Sequence, residues 1–302
     1  MTTFLTPVEL GLGPEPTTAR RKDPPAVHVR ARLDSQLRAL LAYEAGTRSG
    51  VDPEDLHQMR VTVRRLRAAV AAEGGALGEA AAHLQAELKW LGNMLGPVRD
   101  IDVQLERLRA EAAAFEDDER AAVERLLAGL VAERRAARRR MLAALRTKRY
   151  TALLVSIADA ANSTPAANGQ AKKASAVVDV INRPYRKLRK AVRALSEDPP
   201  DDDLHALRIK GKRLRYAAEL VGQPAKDLIK ATKGFQEVLG EHQDAAVAED
   251  TIRRLMGGHE DPEVIFVAGR LVEREHARRV AYRAQWRDKW AAVDEFSETF
   301  GG

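Results

Sequence analysis

The chain has 302 residues, 50 of them lysine or arginine against 44 acidic ones, with 45% hydrophobic residues, 5% aromatics and no cysteine. The missing cysteines exclude disulfides and thiolate metal sites, and a palette of Ala, Leu and Arg without sustained alternation of Val, Ile and Thr points to an all-α fold. No apolar run is long enough to cross a bilayer, since Asp159 interrupts the nearest, "TALLVSIADAA", and the N-terminus lacks the basic start and apolar core of a secretory signal, so a soluble cytoplasmic protein is expected.

In chain order, residues 1–25 carry Pro7, Pro14, Pro16, Pro24 and Pro25 and no periodicity, which predicts a flexible tail. Helical segments follow near 27–46, 54–73, 78–112 and 116–160, with breaks at Gly46, at Gly74-Gly75 and around Asp117, and a kink predicted at Gly96-Pro97. Asp52 can cap the second segment, ahead of Pro53 and Glu54. The polar stretch "ANSTPAANGQA", 161–171, has linker composition. Beyond it, segments near 172–195, 202–221, 225–256 and 261–297 repeat the scheme, the second of them preceded by Pro199-Pro200 and opened by Asp201 to Asp203. The expected organisation is thus a first four-helix half, 26–160, and a second, 172–302, each an antiparallel bundle.

The two halves are copies. "LHQMRVTVRRLRAA", from Leu56, aligns with "LHALRIKGKRLRYA", from Leu204, at a shift of 148 positions. His57, Arg60, Arg65, Leu66 and Arg67 fall on His205, Arg208, Arg213, Leu214 and Arg215, and Arg64 falls on Lys212. "KWLGNMLGPVRDIDV" aligns with "KGFQEVLGEHQDAAV" at a shift of 144, matching Lys89, Leu95, Gly96, Asp100 and Val103 with Lys233, Leu239, Gly240, Asp244 and Val247. Arg138 and Arg278 match at a shift of 140. Duplication with order preserved predicts a pseudo-twofold molecule.

Advancing about 100° per residue from His57 puts Arg60, Arg64 and Arg67 within one narrow stripe and Met59, Leu66, Ala69 and Val70 on the opposite side. Arg65 lies at a flank. The second copy sets His205, Arg208, Lys212 and Arg215 against Leu207, Leu214, Ala217 and Ala218. Most charge runs are only solvated faces. Here the pattern occurs twice, like charges one turn apart repel, and no acidic residue lies within 56–70 or 204–218. A cation stripe without internal counter-ions calls for an external anion. "RPYRKLRKAVRAL" adds Arg186 and Lys190 opposite Tyr185, Leu188 and Val192.

His-x-x-Arg-x-x-x-Arg-Arg-x-Arg in one half and His-x-x-Arg-x-x-x-Lys-Arg-x-Arg-Tyr in the other, each followed by Leu-Gly-x-x-x-Asp, resemble the CHAD family, the conserved histidine α-helical domain, over roughly 27–297. The resemblance implies two pseudo-symmetric four-helix bundles around a basic central groove or pore that binds inorganic polyphosphate. It assigns phosphate contacts to His57, Arg60, Arg64, Arg65 and Arg67 and to His205, Arg208, Lys212, Arg213 and Arg215, with Lys89 and Lys233 as additions. Arg138, Arg186, Lys190 and Arg278 complete the candidate set. Some members of the family also carry a triphosphate-hydrolysing module with a Glu-x-Glu-x-Lys signature, which this sequence lacks. Targeting to polyphosphate granules, storage control and delivery to an enzyme are all compatible with such binding.

The chemistry of the residues agrees independently. Polyphosphate has charge and no base to read, so it asks for dense Arg and Lys rather than stacking aromatics. No aromatic interleaves the first stripe, and no groove-reading motif is present, which argues against nucleic acid. A helical interaction protein whose cationic faces meet acidic partners or nucleic acid is the plainer alternative. An enzyme reading rests on Glu54-x-x-His57 and Glu273-x-x-His276, whose spacing occurs in di-iron bundles. Arg60, Arg274 and Arg278 beside them oppose a metal cation, and Glu54 suits the dipole of the helix it opens. No phosphate-loop or nucleophile motif is found, so a non-catalytic binder without cofactor or metal is expected.

Overall fold

Every regular element among the described residues is an α-helix. The computed structural model describes residues 4–20, 23, 25–72, 79–163, 177–221 and 225–298. The helices are α1 (Pro25–Ser49), α2 (Pro53–Ala72), α3 (Glu79–Ala112), α4 (Asp117–Leu145), α5 (Lys148–Asn162), α6 (Val177–Arg193), α7 (Asp201–Val221), α8 (Lys226–Met256) and α9 (Pro262–Glu298). None is long and apolar enough to cross a membrane.

The segment expected as one helix over 116–160 is two. Thr147 adopts extended backbone, and its side chain accepts the Tyr150 N–H to cap α5. Conversely, α3 is helical on both sides of Pro97. Gly74-Gly75 and most of the 161–171 linker lie outside the described residues.

The chain forms two compact units, residues 1–107 with 128–170, and residues 108–127 with 171–302. The expected first half, 26–160, therefore does not coincide with the first unit, because the tip formed by the end of α3 and the start of α4 packs with α9. Phe115 lies under the guanidinium groups of Arg270 and Arg274, at 4.0 and 4.5 Å from the ring centre. Arg125 of the tip pairs with Asp261 and Glu263, and Glu119 with Arg270.

In the first unit, Leu84, Leu88, Leu91 and Leu95 make one stripe of α3, buried with Leu33, Leu37 and Leu40 of α1 and Met59, Val63 and Leu66 of α2. Each such side chain contributes about 1.5–3 kcal/mol on burial. Residues 4–20 are not the free tail their composition suggests. Leu10 and Leu12 are buried in this core, Arg38 donates to the carbonyls of Gly13, Pro14 and Glu15, and Asp34 accepts the Thr17 N–H at 2.5 Å. Two buried leucines and a bidentate arginine hold what proline alone would leave extended.

The second unit buries Ile181, Tyr185 and Leu188 of α6, Leu204, Leu207 and Leu214 of α7, Phe235 and Leu239 of α8, and Trp286 and Val293 of α9. Trp290 stacks on Tyr185 and meets Phe235 edge-on.

Candidate functional site

The first stripe is built on α2. Asp52 Oδ1 accepts the Glu54 N–H at 2.8 Å and opens the helix. Met59, Val63, Leu66 and Val70 are buried, which fixes the rotation of the helix about its axis. Arg64, Arg65 and Arg67 are consequently exposed, and His57 and Arg60 half-buried. Arg60 Nη1 donates to the Gly96 carbonyl at 2.6 Å and to Asp100 Oδ1 at 2.8 Å. The Leu-Gly-x-x-x-Asp element thereby acquires a role: Leu95 is a buried anchor, while Gly96 and Asp100 hold the arginine of the neighbouring helix. Lys89 stands exposed on α3, two turns before Gly96.

The second stripe is built the same way on α7 but lies deeper. Leu204, Leu207, Leu214 and Ala218 are buried, Arg213 is exposed, and His205, Arg208, Lys212 and Arg215 are all half-buried. Gly240 leaves room for Arg208, since a Cβ there would stand 3.3 Å from its Nη2. Asp244 and Lys233 are exposed. Three polar atoms of this stripe, His205 Nδ1, Arg208 Nε and Arg215 Nε, are buried without a hydrogen-bond partner. Arg215 stands 3.2 Å from Glu219, without hydrogen-bond alignment, and lies over the Tyr216 ring. An orphaned buried polar group costs about 1–3 kcal/mol, and an anion arriving at the stripe would remove that cost.

The remaining candidates divide. Arg138 donates to the carbonyls of Arg48 and Ser49 at 2.7 and 2.8 Å, closing the end of α1 where Gly50 turns the chain at φ +69°. Its counterpart Arg278 pairs with Glu111 and lies 3.7 Å from Glu241. Both therefore have structural partners. Arg186 and Lys190 are exposed on α6.

One cluster lies outside the candidate residues. His242, 1% exposed, lies 3.3 Å from Asp201, which accepts from Arg279 at 2.9 Å and Arg283 at 2.7 Å. Burial, followed by the two arginines, holds the His242 pKa below its ordinary value against the pull of Asp201. Asp201 opens α7 one turn before His205, so this network anchors the helix that carries the second stripe. The signal was present in the duplication: His242 occupies the position of Val98, which is buried in the first unit. Among the described residues, no group of three or more His, Asp or Glu side chains is placed to hold a metal ion. His276 of the second Glu-x-x-His pair lies instead against Arg279 and Glu249.

A family model described as the CHAD domain matches residues 31–253. Two uncharacterized proteins of Mycobacterium tuberculosis, MT2285 and Rv2226, are 32% and 31% identical over 278 residues, 89% of this chain and 52% of theirs. The chain thus spans about half the length of the curated relatives it matches. Among solved structures, PptA from Streptomyces chartreusis is similar at TM-score 0.68 and 20% identity, over 89% of this chain and 100% of that one. The crystal structure of the CHAD domain from the plant Ricinus communis is similar at TM-score 0.66 and 26% identity, over 93% of this chain and 96% of that one.

Proposed function

From the premise that the chain belongs to the CHAD domain family, we propose that it binds inorganic polyphosphate through its duplicated Arg, Lys and His stripes and does not cleave it. The observation that carries this reading is the second stripe, where His205 Nδ1 and Arg208 Nε are buried without a hydrogen-bond partner. Phosphate oxygens accept charge-assisted hydrogen bonds from such groups and neutralise the like charges spaced along α7. The first stripe offers the same residue types to solvent at Arg64, Arg65 and Arg67. A polymer of phosphates needs only this, whereas single-stranded nucleic acid would need a row of stacking aromatics. Association with polyphosphate granules is the cellular consequence of the same binding.

The test is a titration of the full chain with polyphosphate, single-stranded DNA and duplex DNA at equal charge and equal salt. Polyphosphate is expected to bind tightest, with affinity falling as salt rises. Equal or tighter binding of either DNA would favour a general helical polyanion binder instead. Incubation with polyphosphate and Mg²⁺ is expected to release no phosphate, and sustained turnover would overturn the non-catalytic reading.

A further inference from the structure

Helix α6 buries Ile181, Tyr185 and Leu188. Its other face exposes Arg183, Arg186, Lys187, Lys190 and Arg193. The five follow one another at intervals of three, one, three and three residues, so they form a single ridge about 15 Å long at 1.5 Å per residue. Several other arginines of this unit are paired: Arg253 with Glu249, Arg270 with Glu119, Arg279 with Asp201 and Arg283 with Asp198. Of the five, Arg186, Lys187, Lys190 and Arg193 have no acidic partner among the described side chains. Arg189 is the exception on this helix, turned toward Asp294 and the Tyr185 ring. Beside the ridge is a shallow depression of about 430 Å³ lined by Arg186, Arg189, Lys190, Arg193 and Ala194.

This ridge is not part of the duplication. Setting the buried Leu33, Leu37 and Leu40 of α1 against Ile181, Tyr185 and Leu188 uses the same shift of 148 that aligns the stripes. Arg183, Lys187, Lys190 and Arg193 then meet Ser35, Ala39, Ala42 and Ala45. Arg186 meets Arg38, whose guanidinium is committed to Asp34 and to the N-terminal segment. Charge was thus placed on α6 alone, where like charges one turn apart repel and an external anion would offset them.

We propose that this face of α6 is a second anion site, independent of the stripes, that takes a short linear oligophosphate or a segment of a longer one. The choice of ligand rests on the proposed function; the site itself rests on the ridge and the depression. The exposed positions carry no aromatic to stack a base and no long apolar side chain to enter a bilayer. They supply arginine forks and lysine point charges at spacings that engage successive phosphates.

The probe is inorganic tripolyphosphate, titrated calorimetrically into three proteins: the full chain, a stripe variant (R64Q, R65Q, R67Q, K212Q, R213Q, R215Q), and the stripe variant with R183Q, R186Q, K187Q, K190Q and R193Q added. The stripe variant is expected to keep about one site per chain, and the added changes to weaken it at least about tenfold, as loss of even one charged hydrogen bond would. Circular dichroism controls for folding, and the double reversal K187E/K190E in the full chain supplies a milder variant with the same expected direction. Loss of all binding in a folded stripe variant, or residual binding indifferent to the α6 changes, overturns the site. If the full chain fails to bind long polyphosphate, the proposed function falls, and the α6 site is then decided by tripolyphosphate-induced NMR shifts across residues 183–193. Absence of those shifts overturns it. Binding of phosphatidylserine vesicles or a short DNA duplex through α6, with tripolyphosphate inert, overturns the ligand class.

Discussion

Helices α2 and α7 began as the same sequence and now solve the same problem differently. In α2 the stripe stands in solvent, and Arg60 is latched to the Gly96 carbonyl and to Asp100. In α7 the stripe is recessed, Arg208 lies along Gly240, and its Nε, with His205 Nδ1, is buried without a hydrogen-bond partner. A group already satisfied gains little from a ligand, whereas an orphaned buried donor gains the full hydrogen bond it lacks. The copies therefore differ in preorganisation more than in charge, and the second is the stronger candidate for tight phosphate contact.

The largest expected effect tests that asymmetry. Replacing Arg208, Lys212 and Arg215 together with glutamine should weaken polyphosphate binding by several kcal/mol, at about 1.5–3 kcal/mol per charged hydrogen bond and less than additively. The matching change of Arg60, Arg64 and Arg67 should weaken it less. It should also lower unfolding stability by about 0.5–1 kcal/mol, because Arg60 loses Asp100, itself 67% exposed, and the Gly96 carbonyl. Titrations and denaturant melts on both triple variants read the two quantities. Equal losses of affinity would erase the distinction between the stripes.

Packing beneath the stripes was exchanged as well. Val63 faces Gly92 in the first unit, while at the equivalent place Gly211 faces Phe235 and Gln236, with Phe235 Cδ1 3.1 Å from where a Cβ would stand. Gly211→Val should destabilise by about 1–3 kcal/mol through overpacking. Adding Phe235→Leu, which restores the Val63 and Leu91 pair of the first unit, should recover much of that loss. Urea unfolding of the single and double variants forms the cycle, and simple additivity would show that the two positions do not interlock.

A smaller effect is expected at His242. Its pKa is lowered in the folded protein from an ordinary 6.5, chiefly by burial. The unfolded chain therefore takes up the proton first, and the stability present above that ordinary value declines as pH falls through it toward the folded value. His242→Val, the residue of the other copy, should flatten this acid slope, seen as a smaller difference between melts at about pH 8 and about pH 5. An unchanged slope would place the titration elsewhere. The smallest effect distinguishes the two glycines. Gly96→Ala meets only Asp100 at 3.9 Å and should stabilise by up to about 1 kcal/mol through helix propensity. Gly240→Ala has the same propensity gain but presses on Arg208, so it should reduce polyphosphate affinity at little cost in stability.

The helices with uninterrupted apolar periodicity were legible in the sequence, as were the duplication and the pairing of each basic motif with its Leu-Gly-x-x-x-Asp element. The break at Thr147 was not, because a threonine cap carries no change in hydrophobic pattern on either side of it. Residues 4–20 depart from the expected tail for a similar reason. Five prolines through residue 25 outweighed Leu10 and Leu12, two leucines with no period to announce their burial. Among the candidate residues, Arg138 recurs as Arg278, and its guanidinium also closes the end of α1. Recurrence alone cannot separate a residue kept for a ligand from one kept for a helix terminus.

Sequence alone was sufficient for whatever depends on periodicity: that the chain is helical, that it is written twice, and that His57 to Arg67 and His205 to Arg215 each present cations opposite an apolar stripe. Helical geometry converts spacing directly into direction, so those conclusions need no coordinates. Partnership depends on which groups from distant parts of the chain arrive within about 3 Å of one another, and only the tertiary structure decides that. It joined Arg60 to Gly96 and Asp100, assigned residues 108–127 to the second unit, set His242 beside Asp201, and left His205 Nδ1 and Arg208 Nε of α7 buried without a hydrogen-bond partner.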